Sequence, residues 1–328
     1  MKKLFLTILP MIHFLAIAQF EGPVIKSIEE AKKAPLDVIV LDLSDQKMVE
    51  LPTEVFAFKN LQRLRLNKTY IESLPERIGE LTQLKALELN HPGDPNLRFS
   101  ALPESISQLS DLMYIGLIGL PNLNWDQVMT QLEGLPVNNL ALMHNDFTSL
   151  PEGIGNIESL RMIWLGGNTE LDPAEVFDEL PFLEQVGFGG SMYASLPDNI
   201  SKAENIFNLW LANNRLRSVT PLQNLPKLRS LTLNSNDLAS LPDGLDRLTL
   251  SQLSLDDNPN LDFREVLTSL STMKSLTTLS ISQNELTRIP DEITAIPSLE
   301  ILVLRGNPLE DEEKEKLEKQ LSNVKIIY

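Results

Sequence analysis

The chain contains no cysteine, only three histidines and few aromatic residues, which make up 6% of its 328 positions. Without cysteine there is no disulfide, no thiolate zinc site and no cysteine nucleophile. Positive charge is scarce as well: 28 lysines and arginines face 45 acids, for a formal net charge of −17. Such a surface repels nucleic acid and anionic membrane, so neither is expected as a main partner. Long apolar runs are confined to the N-terminus. Lys2 and Lys3 precede an apolar stretch over residues 4–18, broken by Thr7, Pro10 and His13. A membrane span takes about 20 apolar residues, so this run is short for one. With the small residues Ala16 and Ala18 just before Gln19, residues 1–18 read as a cleaved signal peptide and imply a secreted or periplasmic product.

What the chain has in quantity is repetition. The pattern L-x-x-L-x-L-x-x-N is clearest at residues 160–168, 228–236, 276–284 and 299–307. Weaker copies start at Val38, Leu61, Leu84, Leu112, Val137, Leu183, Ile206 and Leu250, giving twelve units spaced by 22 to 28 residues. In each unit the fourth and sixth residues, such as Ile163 and Leu165, alternate inward along a short strand. The ninth residue is Asn145, Asn168, Asn214, Asn236, Asn258, Asn284 or Asn307 in seven units, expected to turn inward and bond loop backbone. Ser191 interrupts that series, and Pro92 and Leu120 replace the amide in units three and four, where an irregular loop is expected. The second half of a unit reads L-P-x-x-I-x-x-L, as in Leu74-Pro75-Glu76-Arg77-Ile78-Gly79-Glu80-Leu81. Residues 124–132, 172–180 and 262–270 instead predict short helices, each opened by an amide or acid suited to capping.

This repeat resembles the leucine-rich-repeat family, in the 23-residue class shared by bacterial and Ras-group proteins. The resemblance implies an α/β solenoid, a right-handed horseshoe with a parallel concave sheet and a convex side of mixed extended and short-helix segments. The expected divisions are a signal peptide (1–18), an N-terminal cap (19–37), twelve repeats (38–307) and a C-terminal helical cap (308–328). Ser27-Ile28-Glu29-Glu30 fits a capping box at the front. At the back, Leu317 and Leu321 would face inward, with Glu312–Lys316 and Glu315–Lys319 paired on the outer face.

Groups for chemistry are thinly supplied, and neither an enzyme activity, a metal nor a cofactor is expected. His91 and His144 read as solvated rim residues at equivalent strand ends. Gly187-Phe188-Gly189-Gly190 lacks the Lys-Ser/Thr of a phosphate loop. Asp256-Asp257-Asn258 reads as two exposed acids and a structural amide rather than a calcium site. The informative positions are the third, fifth, seventh and eighth of each unit, which face outward. In units four to nine none of these 24 positions is charged, where average composition would give about five. On that face the expected ligand-binding residues are Tyr114, Ile118, Met143, Met162, Trp164, Gly187 and Trp210. Trp164 and Trp210 hold equivalent positions two units apart, so roughly 10 Å separates their strands, with bare Gly187 between. A secondary charged patch is expected at Arg63, Arg65 and Lys68. The reading is a non-catalytic recognition module that binds a protein or peptide on the concave face. Glycan binding, through tryptophan stacking and amide side chains, is the alternative, as is an adhesion or structural surface role.

Overall fold

Each repeat spends three residues in a strand, because only its fourth residue must enter the core there while the third and fifth face the other way. The computed structural model describes residues 22–91, 98–241 and 245–328. The expected signal peptide and the irregular loop from Pro92 lie outside the described residues. The chain divides into two compact units at Leu171 and Asp172. The first holds β1 (Val24–Ile25), β2 (Val40–Asp42), β3 (Arg63–Arg65), β4 (Ala86–Glu88), β5 (Tyr114–Gly116), β6 (Asn139–Ala141) and β7 (Met162–Trp164). The second holds β8 (Gln185–Gly187), β9 (Asn208–Trp210), β10 (Ser230–Thr232), β11 (Gln252–Ser254), β12 (Thr278–Ser280), β13 (Ile301–Val303) and β14 (Lys325–Ile327).

Within each unit successive strands pair in parallel and without a register shift, so equivalent residues stack. Leu41, Leu64, Leu87, Ile115, Leu140 and Ile163 form one buried row of the first unit. Val186, Leu209, Leu231, Leu253, Leu279 and Leu302 form its counterpart in the second. No repeat closes a core alone; each layer is covered by the next. The α/β solenoid expected from the repeats is therefore present in both units.

Two devices turn the chain out of each strand. The eighth residue of the repeat has a left-handed backbone, with φ of 55° at Lys68 and His144, 58° at Asn213 and 53° at Asp257. Its N–H extends the ladder beyond the strand: His144 donates to Gly166 O, Asn213 to Asn234 O and Ser235 to Asp256 O. The second device is the ninth-position amide. Asn168 donates to Leu142 O (3.0 Å) and Leu165 O (2.7 Å) and accepts from the N–H groups of Asn145 (2.9 Å) and Phe147 (3.3 Å). The same bonds to the preceding repeat form where that repeat has Leu120 or Ser191 in place of the amide. Asn145 donates to Leu117 O and accepts from Leu120 N–H, and Asn214 donates to Phe188 O and accepts from Tyr193 N–H.

The return half of the repeat follows from its proline. Pro52, Pro75, Pro103, Pro197 and Pro290 each precede a five-residue 3-10 turn, and their carbonyls accept the first turn's hydrogen bond, as from Ile78 to Pro75 at 2.9 Å. Proline suits this place because its fixed φ and missing N–H cost nothing at a helix start. These turns pack closely: a Cβ on Gly79 would lie 2.9 Å from Ser105 O and 2.7 Å from Gln108 Oε1. Glycine is what lets the two neighbouring turns meet there.

Five helices occur among the described residues: α1 (Ile28–Ala31), α2 (Trp125–Leu132), α3 (Pro173–Glu179), α4 (Phe263–Leu270) and α5 (Asp311–Gln320). The side chains of Asn124, Asp172 and Asp262 cap α2, α3 and α4, accepting from Gln127, Ala174 and both Arg264 and Glu265 N–H groups. Two expectations need correction. Ser27 makes no side-chain cap to α1, whose single turn is closed instead by Ser27 O accepting from Ala31 N–H. On α5, Lys319 does pair with Glu315 (3.7 Å), but Lys316 turns away from Glu312 to Asp291 (2.8 Å), which lies on the preceding turn.

Candidate functional site

On the strand face of the first unit, third-position residues run Val40, Arg63, Ala86, Tyr114, Asn139, Met162 in register. Fifth-position residues run Asp42, Arg65, Glu88, Gly116, Ala141, Trp164. Strands about 4.8 Å apart bring such side chains into mutual contact, and long ones shield one another. That is the outcome here, and it corrects the expected exposure of the binding residues. Trp164 is 2% exposed, and Tyr114, Ile118, Met143 and Met162 are buried too. They form a packed layer on the face rather than a row of projecting anchors.

The expected charged patch is corrected more sharply. Arg63 is 2% and Glu88 1% exposed, and Arg65 is also buried. Glu88 Oε1 accepts from Arg63 Nε at 2.8 Å, from Arg63 Nη2, and from Arg65 Nε at 3.2 Å; its Oε2 accepts from Asn67 Nδ2 at 2.9 Å. Arg65 Nη1 also reaches Asp42 Oδ2 at 3.4 Å. Burial opposes ionisation of Asp42, but hydrogen bonds from Ser44 and the Arg65 charge outweigh it and hold the carboxyl below its usual range. Burial, and then the Glu88 charge, push the neighbouring Tyr114 phenol far up. Lys68 alone of the three basic residues is exposed, 3.8 Å from Asp45. The signal was present in the sequence: Arg63, Arg65 and Glu88 fall at stacking positions of adjacent repeats, and opposite charges there must meet.

The two histidines are not rim residues either. His91 is buried, and His144 is half-buried with its imidazole over Gly167, where any Cβ would collide with it. Burial lowers the His144 pKa, against an opposing effect from Asp146.

The second unit presents a different face. Third positions run Gln185, Asn208, Ser230, Gln252, Thr278, Ile301, and fifth positions Gly187, Trp210, Thr232, Ser254, Ser280, Val303. Most of these side chains, Trp210 among them, are half-exposed, while Gly187 and Thr232 are buried. The amides and hydroxyls are linked side by side. Asn208 Nδ2 donates to Gln185 Oε1 at 2.8 Å, and Ser230 Oγ to Gln252 Oε1 at 3.4 Å. Asp256, at a seventh position, accepts on Oδ1 from Ser280 Oγ (2.6 Å) and Ser282 N–H (2.7 Å) and on Oδ2 from Asn234 Nδ2 (3.3 Å). Burial raises its pKa above the usual carboxylate value, and the Ser280 and Ser282 bonds only partly offset that. Asp256 is thus not the exposed rim acid expected from its sequence; only Asp257 is exposed.

A cleft of about 800 Å³ also opens beside α5, lined by Arg288, Glu310, Glu313, Lys316 and Lys319 among others. Its charges largely pair with one another or with Asp291, as in Lys319–Glu315 and Lys316–Asp291. Among the described residues, no group of three or more acids or histidines could hold a metal ion. No helix among them is long and apolar enough to cross a membrane.

No family model matches the chain. Among solved structures, a leucine-rich-repeat protein of Leptospira interrogans is similar with a TM-score of 0.52 and 23% identity, over 94% of this chain and all of that one. An internalin (inlF) of Listeria monocytogenes gives a TM-score of 0.53 and 19% identity, over 89% of this chain and 80% of that one. The fold is a leucine-rich-repeat solenoid. A Dictyostelium discoideum protein described as a probable inactive serine/threonine-protein kinase, roco10, is 32% identical over 120 residues. That match takes in 36% of this chain but spans only 4% of the length of the curated relative.

Proposed function

We propose that this leucine-rich-repeat chain is a non-catalytic recognition module that binds a protein or peptide on the strand face of its second unit. The observation that carries the reading is the character of that face. The twelve third and fifth positions of β8 to β13 hold no charged residue, and eight are hydroxyls or amides around the half-exposed Trp210. Such groups hydrogen-bond and stack, and none of them titrates near neutrality as acid–base catalysis requires. A rigid sheet also holds them in place before a ligand arrives, which lowers the entropy cost of binding. The polar carpet would serve sugar hydroxyls as well, with the indole as a stacking surface, so a glycan is the second reading.

Selection of peptides from a displayed library on the immobilised full chain, followed by calorimetric titration, tests this. Trp210→Ala should weaken the selected peptides by about thirtyfold, as loss of an interface anchor worth about 2 kcal/mol does. Its unfolding curve should stay close to that of the wild type, because Leu209 and Leu211 carry the core at that strand. A library that yields nothing, beside retention on a glycan array, would favour the second reading. We propose export as well, on the strength of residues 1–18. Mass spectrometry of the exported protein should find it beginning at Gln19; a chain still beginning at Met1 would remove that part.

A further inference from the structure

Across β9 to β12, the third, fifth and seventh positions present twelve side chains, of which one is charged. That one is Asp256, and its setting is unusual for a carboxylate. Its hydrogen bonds come from neutral donors, and those of Ser280 Oγ and Ser282 N–H both fall on Oδ1. Oδ2 accepts from Asn234 Nδ2 at 3.3 Å, and the Ser254 hydroxyl also bonds the carboxylate. Asn234 is itself held in place, since its Oδ1 accepts from Asp256 N–H at 3.2 Å. The adjoining charge, Asp257, has the same sign and bonds Ser235 Oγ at 2.8 Å. Among the described residues Asp256 has no ion pair. A partly buried charge held only by dipoles is a cost to the fold, and costs of that kind collect at binding sites. The serines orient the half-buried carboxylate without supplying a countercharge, so a cation brought to this face by a ligand would be its first ionic partner among the described residues.

We propose that Asp256 anchors a basic side chain, lysine or arginine, of an extended peptide lying across β9 to β12. This inference rests on the peptide reading above and names the partner's chemistry. Trp210 lies two strands away and two residues lower on its strand, roughly 12 Å by ordinary sheet spacings. An extended chain covers about 13 Å in four residues and turns the first and fifth side chains to the same side. A ligand with its basic residue on Asp256 therefore sets the side chain four positions away against the indole. The amides and hydroxyls of Asn208, Ser230, Gln252 and Thr278 flank the path and suit peptide N–H and C=O groups.

The test uses the full chain and an array of heptapeptides carrying lysine at position two and leucine, phenylalanine or tryptophan at position six. A second set has the lysine acetylated, which removes its charge and keeps its length. Wild-type protein should bind the lysine set at least about tenfold more tightly, the scale of one charge-assisted hydrogen bond. Asp256→Asn should abolish that difference while binding the acetylated set as the wild type does. Trp210→Ala should weaken both sets. At neutral pH Asp256→Asn should unfold no earlier than the wild type, because it removes a charge that burial disfavours. Equal binding of the two sets by the wild type overturns the inference and leaves the peptide reading standing; this comparison needs no variant to fold. Undiminished lysine preference in Asp256→Asn overturns it too. Failure to bind any heptapeptide overturns both the inference and the reading beneath it.

Discussion

Glu88→Leu is expected to destabilise the first unit by about 3–5 kcal/mol, the usual cost of removing one partner from a buried ion pair. The side chain of Glu88 holds two guanidinium groups, Arg63 and Arg65, and the Asn67 amide at once. With leucine in its place two buried positive charges remain, of which Arg65 keeps only its 3.4 Å contact to Asp42. Surface ion pairs contribute little, about 0–1 kcal/mol, so the size of the effect distinguishes a buried cluster from an exposed patch. Urea denaturation of the full chain gives the measurement. Arg63→Met, Arg65→Met and Glu88→Leu combined should recover most of the loss, since well-packed apolar residues replace buried ion clusters at small cost. A single Glu88→Leu variant within about 1 kcal/mol of the wild type would mean the cluster is solvated.

Asn168→Ala is the second large effect, expected at about 3 kcal/mol or more. Asn168 is fully buried and makes four hydrogen bonds to main-chain groups of two repeats. Each buried group left without a partner costs about 1–3 kcal/mol, and relaxation or an entering water lowers the sum. The neighbouring Thr169 is exposed, so Thr169→Ala should stay within about 0.5 kcal/mol. Hydrogen exchange adds a local readout: the amides of Asn145 and Phe147 should lose protection in Asn168→Ala before the rest of the unit does. Equal denaturation midpoints for the two variants would show that the ninth-position amide does not hold the loop.

Much of the architecture was legible because leucine-rich repeats write one constraint over and over. Ile163, Leu231 and Leu279 are core because alternation puts them there, and the amides at 168, 214 and 236 bond loop backbone as their position requires. The helix starts at Asn124, Asp172 and Asp262 were readable from capping chemistry alone. The face was harder, for a definite physical reason. Outward direction follows from one strand, but exposure depends on the neighbours a strand stacks against. Trp164 and Met162 point outward and are nevertheless buried. Arg63, Arg65 and Glu88 looked like separate surface charges until register brought them together. For Asp256, the deciding facts were a hydroxyl 24 and a backbone N–H 26 residues further on, which no local pattern connects to it.

The ladder of amides also has a direction. Asn168, Asn214, Asn236 and Asn307 all serve the loop of the repeat before their own, accepting N–H groups of Phe147, Tyr193, Leu216 and Leu286. A ribosome releases the repeats in the opposite sense, earlier ones first. Each emerging loop therefore stays incompletely bonded until the next repeat has left the exit tunnel and folded against it. During synthesis the nascent chain carries one unfinished layer at its growing end, and that layer moves forward by one repeat at a time. The same order holds at β14, whose Ile327 O accepts from Leu304 N–H, so the layer of β13 is finished only once β14 has folded against it.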